Sequence, residues 1–261
     1  MTKVILLAAG VGGRFGRRTK KTPKCLIPLG KNGQNLLRRY LDSFRQLRLC
    51  HVVIVVGHQK EMIQKECAKY GHGLRIKFLV NPQFRKGSIV SLRRASGELS
   101  SDCLIMDADV YFRTAALKKL LKARQSAFLI DSRSKSSGEE MMLMSKNGRA
   151  CRISKTVDPS LKILGEATGF LKLRTRDAGL LAVVLKKMVR AGHTQVEYEE
   201  SYNELMKKRK LGYKTISGFW SEMDFEEDLG VILRNDTLPA FSAVRAIFRP
   251  TRNDESPPPP G

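Results

Sequence analysis

Short continuous apolar runs alternate along this chain with stretches of three-to-four apolar spacing, and that alternation predicts an α/β architecture. Val4-Ile5-Leu6-Leu7-Ala8-Ala9, residues 51–57, residues 74–80 and Cys103-Leu104-Ile105-Met106 read as strands buried on both faces. Between them, residues 36–47, 61–70 and 89–95 place apolar side chains at helical spacing. This βαβαβ order predicts a doubly wound, mostly parallel sheet whose site lies at the carboxyl ends of the strands. The second half mixes strands at 141–143, 149–153 and 169–173 with helices at 176–190, 199–208 and 226–233. Residues 1–250 are expected to form one domain, with a further helix over 238–248. Residues 251–261, with four consecutive prolines, read as a disordered tail.

Composition narrows the function classes. The 261 residues hold 48 Lys plus Arg against 25 Asp plus Glu, a formal charge of +23. Runs such as Arg17-Arg18-Thr19-Lys20-Lys21 and Lys207-Lys208-Arg209-Lys210 suit phosphate contacts. The basic residues are nevertheless spread over the whole chain, without a DNA- or RNA-reading motif. Anionic substrates or an anionic membrane surface therefore explain the charge, and no specific nucleic-acid partner is expected. No apolar run approaches the roughly 18 residues of a membrane span, and the first run is too short for a signal peptide and is followed by Arg14, Arg17 and Arg18. Cys25, Cys50, Cys67, Cys103 and Cys151 form neither a C-x-x-C pair nor a metal-ligand rhythm. A soluble protein of the reducing cytoplasm is expected, and a homodimer is left open.

The first thirty residues carry the strongest chemical signal. The apolar run breaks into Gly10-Val11-Gly12-Gly13-Arg14, and Pro23-Lys24 follows ten residues later. Glycines after a buried strand let backbone N–H groups approach a phosphate, and Arg14 and Lys24 bring positive charge to it. A dinucleotide fingerprint would need a third small residue where Phe15 stands, and no Walker A sequence occurs.

Strand, glycine loop, arginine and Pro-Lys pair together resemble the L-A-A-G-x-G-x-R…P-K signature of the nucleotidyltransferases that activate sugar phosphates and phosphorylated alcohols. The resemblance covers residues 1 to about 233. It implies a Rossmann-like nucleotidyltransferase fold with the acceptor-binding half in the same domain. It also implies a nucleotide site at Leu7, Ala8, Ala9, Gly10, Gly12 and Gly13, with Arg14 and Lys24 as catalytic clamps. Asp109, after the strand at 103–106, stands where the family places a carboxylate on magnesium. Trp220-Ser221-Glu222-Met223-Asp224 resembles the family's late W-x-E-x-D element, so Asp109 and Asp224 are the expected Mg2+ ligands, with Asp107 on the acceptor side. The competing readings are a helix cap at Asp109 and ordinary acidic residues before a helix at 222 and 224.

The stretch from Asn81-Pro82 through Gly87-Ser88 to Ser91-Leu92 resembles the base-binding region of the superfamily's cytidylyltransferases. That makes CTP the expected nucleotide, read by Asn81, Gly87 and Ser88, with a plain helix cap at Ser88 as the bland alternative. Glu140, Glu166 and Glu199 lie in segments resembling the acceptor side of enzymes acting on phosphocholine, 2-aminoethylphosphonate or inositol 1-phosphate. Met141, Met142 and Met144 stand where the phosphocholine enzymes carry an aromatic run. The expected partners are thus CTP and a small phosphorylated acceptor. The alternatives are a sugar-1-phosphate nucleotidyltransferase using UTP or GTP, and a non-catalytic module that binds nucleotide or nucleic acid.

Overall fold

The computed structural model describes residues 2–30 and 33–236, so the proposed helix at 238–248 and the proline-rich tail lie outside the described residues. The chain runs β1 (Lys3–Ala8), α1 (Leu36–Gln46), β2 (His51–Val56), α2 (Lys60–Tyr70), β3 (Arg75–Val80), α3 (Ser88–Arg94) and β4 (Cys103–Asp107). It continues through β5 (Val110–Tyr111), α4 (Thr114–Leu121), β6 (Ala127–Asp131), β7 (Met142–Lys146), β8 (Arg149–Ser154) and β9 (Lys162–Leu173). The last elements are α5 (Thr175–Arg190), α6 (Glu199–Lys208), β10 (Gly212–Thr215), β11 (Ser221–Glu222) and α7 (Glu226–Asp236).

The main sheet has the order β10-β6-β9-β4-β1-β2-β3. Its β3-β2-β1-β4 part is parallel, β9 runs antiparallel between β4 and β6, and β10 pairs parallel with β6. The β7–β8 hairpin extends from β9, and β5 and β11 form a separate two-stranded ribbon. This is the doubly wound, mostly parallel α/β fold that the apolar runs predict.

Burial on both faces explains those runs. Val4, Leu6 and Ala8 enter one core with Leu37, Leu41 and Leu117, while Ile5, Leu7 and Ala9 enter the other with Ile89, Leu181 and Leu205. Helices cover each face, so the successive residues Val4 to Ala8 of β1 are all buried. Asn35 caps α1 by accepting from the Arg38 backbone N–H at 2.9 Å.

Four parts of the fold are additions to the sequence expectations: the β5–β11 ribbon, α4, β6 and β10. The strand expected at 169–173 is also longer and begins at Lys162. The two strands of the β5–β11 ribbon are only two residues long, below the length at which period-two alternation can be read. Strand β10 lies at the sheet edge and carries Lys214, so it has no apolar run.

Candidate active site

The carboxyl ends of β1 and β4 open onto a cleft of about 520 Å³ lined by Leu7, Ala8, Gly10, Gly12, Gly13, Arg14, Lys24, Ala108, Asp109 and Glu197, among others. The glycine loop turns directly after β1, and residues 13–20 wind into a 3-10 helix. Gly12 has a φ of +67°, and a Cβ there would lie 2.9 Å from Cγ of Lys24. The absence of that carbon lets the Lys24 stem pass beneath the loop.

Lys24 is the centre of the charge arrangement. Its ammonium donates to Asp224 Oδ1 at 2.6 Å and to Asp109 Oδ2 at 3.3 Å, so carboxylates 115 residues apart in sequence meet at one cation. Burial opposes the charge, but the two aspartates outweigh it and hold the Lys24 pKa above its ordinary value. Arg14 adds a second contact, with a guanidinium nitrogen 2.8 Å from Asp224 Oδ2 and another 3.4 Å from Glu139. The helix-cap reading of Asp109 does not hold, because the next helix, α4, has Arg113 at its N-cap position.

Carboxylates crowd behind this pair. Burial, together with Asp109, Asp224 and Glu166, pushes Glu222 up to about 8. Burial and then Asp109 and Glu199 likewise raise Asp107 well above the carboxylate range, against a hydrogen bond from the Tyr198 hydroxyl. Glu199 is pushed up to about 7, chiefly by burial. Glu166 is buried on β9, paired in register with Asp131 and Met142. Among the described residues no group of three or more His, Cys, Asp or Glu side chains is arranged to hold a metal ion. The protein therefore offers two oxygen donors, Asp109 and Asp224, at one point.

The residues expected to read the base are placed differently. Asn81 is 1% exposed; its amide donates to Ser91 Oγ at 3.0 Å, and its carbonyl oxygen accepts from the Gln83 N–H at 3.0 Å. Those bonds hold the turn after β3, and Asn81 does not line the cleft. Gly87 lies against residues 195 and 196, where a Cβ would approach Val196 O to 2.3 Å. Gly87, not Ser88, is the N-cap residue of α3, and Ser88 instead donates to Glu197 Oε2 at 2.5 Å and accepts from the Tyr198 N–H at 2.8 Å. Ala9 is in the core beside the cleft.

Glu197 lies in the acceptor-like segment around Glu199 but is not among the residues the sequence assigns to the site. It lines the main cleft and also an adjoining pocket of about 350 Å³ with Met141, Ile153, Lys155 and Glu199. Its signals in the sequence are that acceptor-like segment and the neighbouring Glu199 and Glu200, an acidic cluster in a basic chain. Glu140 is engaged in its own turn, its carboxylate accepting from the Ser137 N–H at 2.7 Å.

Comparison with known proteins follows the same lines. The family model of the MobA-like NTP transferase domain matches residues 4–162. The CMP-5'-(3-aminopropyl)phosphonate synthase of Streptomyces rubellomurinus is 30% identical over 132 residues, which are 50% of this chain and 21% of that protein. The match thus spans about a fifth of that relative's length. The choline-phosphate cytidylyltransferase of Haemophilus influenzae is 29% identical over 185 residues, 70% of this chain and 73% of its own. The solved inositol-1-phosphate CTP transferase of T. maritima superposes with a TM-score of 0.72 at 16% identity, covering 90% of this chain and 96% of that one, a likeness of fold.

Proposed function

Because this chain belongs to the MobA-like NTP transferase family, we propose that it transfers CMP from CTP to a phosphorylated alcohol or a phosphonate and releases pyrophosphate. The observation that carries the reading is the meeting of Lys24 with Asp109 and Asp224 at the mouth of the glycine-loop cleft, with Arg14 on the same aspartate. Relatives that make CMP-phosphonates and that act on choline phosphate support CTP as the donor.

In this reading an acceptor oxygen attacks the α-phosphorus of CTP, a new P–O bond forms, and the bond to the pyrophosphate oxygen breaks with its electron pair leaving on pyrophosphate. The attacking oxygen is already ionised at neutral pH, so no general base is required. Lys24 and Arg14 offset charge on the transferring and leaving phosphates. Backbone N–H groups of residues 10–13 receive the triphosphate without side-chain obstruction.

The donor set fits a hard divalent cation. Asp109 and Asp224 reach one position from two parts of the chain, and Glu222 nearby is raised chiefly by burial and then by the two aspartates. Asp109 and Asp224 would hold Mg2+, which when bound supplies Lewis-acid neutralisation of phosphate charge, with phosphate and water oxygens completing its coordination.

On the acceptor side, Asp107, Glu166 and Glu199 supply carboxylates that accept hydrogen bonds from an amine or from hydroxyls. A pyrophosphate-release assay tests the whole reading. CTP, UTP, GTP and ATP are each paired, with Mg2+, with choline phosphate, 2-aminoethylphosphonate, inositol 1-phosphate and glucose 1-phosphate. Turnover with CTP and one of the first three acceptors is expected. Turnover only with UTP or GTP and the sugar phosphate would replace the reading, and nucleotide binding without turnover on any pair would make the chain a binding module.

A further inference from the structure

The formal charge of +23 exceeds anything the cleft requires, and the fold gathers part of it on one edge of the sheet. Residues 110–126 contain five Lys or Arg and residues 205–220 five more, with no Asp or Glu in either segment. The parallel pairing of β10 with β6, in which Tyr213 lies opposite Phe128, brings these segments side by side. The Lys119 ammonium lies 3.5 Å from Thr215 Oγ1, so α4 comes close to the β10 edge. Lys207 and Arg209 are paired with Glu204 and Asp177. Lys118, Lys119, Lys122, Arg124, Lys210 and Lys214 are exposed and make no ion pair among the described residues. Tyr213, 43% exposed, precedes Lys214 on β10 and is one of three exposed large apolar side chains among the described residues.

We propose that this α4–β10 edge is a docking surface for an anionic lipid bilayer. Exposed ammonium groups on α4 and on the β10 edge suit lipid phosphates, and the polar-tipped ring of Tyr213 beside Lys214 on that edge strand suits the headgroup region. Lysine predominates in the patch, and a lysine ammonium is a point charge suited to diffuse attraction. The bidentate forks by which arginine reads nucleic acids are in the minority here. A cleft of about 450 Å³ lined by Arg48, Thr114 and Lys118 continues the positive surface along α4.

The test is co-sedimentation of the full chain with vesicles of phosphatidylcholine alone or with 30% phosphatidylglycerol (roughly the anionic fraction at which polybasic attraction is strong). Lys118→Gln, Lys119→Gln and Lys122→Gln are combined in one variant. Lys60→Gln, Lys65→Gln and Lys69→Gln on α2, toward the opposite end of the sheet, are combined in a control of equal net charge. Binding to the anionic vesicles only is expected, weakened about 100-fold in the α4 variant at roughly tenfold per 1.4 kcal/mol and about 1 kcal/mol per lysine. The control should lose less than about threefold. Thermal melts matching the unaltered chain verify folding. Equal losses in both variants would reduce the effect to net charge and overturn the proposal, as would no binding to anionic vesicles. Tighter binding to a single-stranded RNA homopolymer at the same salt would assign the edge to nucleic acid instead.

Discussion

Asp228, in the first turn of α7, reaches back to hold the backbone of Asp224: its Oδ2 accepts from the N–H groups of Asp224 and Phe225, both at 2.8 Å. A carboxylate at a helix N-terminus is favoured by the exposed N–H groups there, and this one also sets the direction in which Asp224 faces Lys24. Asp228 is therefore a positioning residue. Asp228→Ala is expected to lower kcat about tenfold or more with CTP KM changed little, and to cost roughly 1 kcal/mol of stability as a lost cap. Asp228→Asn, which keeps an acceptor oxygen, should recover most of kcat. Failure of the asparagine to rescue, with both variants equally stable, would remove the positioning role.

Asp109→Asn and Asp224→Asn should each abolish most turnover while leaving the fold intact, because each removes one anionic oxygen donor from the point where Lys24 now sits. Turnover is measured across a Mg2+ titration. Unaltered rates at saturating Mg2+ in both variants would end the assignment of the pair as metal ligands.

Lys24→Ala is expected to lower kcat by about 100-fold or more while weakening CTP binding much less, since its charge is most useful when negative charge grows on the leaving phosphates. Separate measurement of CTP affinity by calorimetry and of kcat by pyrophosphate release divides the two effects. A rise in KM at constant kcat would make Lys24 a uniform binder.

Much of this arrangement is legible in the sequence, and the rest is hidden for identifiable reasons. The β1 run and the glycine loop are readable because a strand buried on both faces must be apolar throughout, and because a backbone turning under Gly12 against Lys24 cannot carry a side chain. The carboxylates at 109 and 224 become meaningful only with that loop beside them. Asn81 misleads because an Asn-Pro turn after a strand looks the same whether its amide faces a ligand or, as here, Ser91 and Gln83. The Ser88–Glu197 bond spans 109 residues, and no local pattern encodes such a contact.

Glu166 and Glu140 separate two roles that look alike in sequence. Glu166 is buried on β9, and its charge adds to those of Asp109 and Asp224 in raising Glu222, whereas Glu140 accepts from Ser137 in its own turn. Glu166→Gln should raise the KM for the acceptor with little change in the KM for CTP, and Glu140→Gln should change neither by more than about twofold. Steady-state kinetics with each substrate varied in turn provide the check. The reverse order of effects would move the acceptor site toward the 137–140 turn.

The last expectation concerns stability and its pH dependence. Asp131 at the end of β6 has a fully buried carboxylate that accepts from Trp220 Nε1 at 2.8 Å and from Arg133 Nε at 2.9 Å. Burial works against its charge, but the bonds from Arg133 and Trp220 prevail and hold the carboxyl below its ordinary range. A folded-state pKa below the unfolded one contributes stability that is complete above the unfolded value, about 3.9, and is lost as pH falls through the folded value. Asp131→Ala removes this contribution and leaves the Trp220 N–H without the carboxylate, costing roughly 1–3 kcal/mol at pH 7. Because Trp220 opens the stretch that carries Asp224, kcat should fall as well. Urea unfolding of both proteins between pH 7 and about 3 is the measurement: the gap between them should hold steady down to about pH 5 and narrow below about pH 4. A gap constant across the whole range would mean that Asp131 contributes by packing and hydrogen bonding alone, with no part carried by its charge.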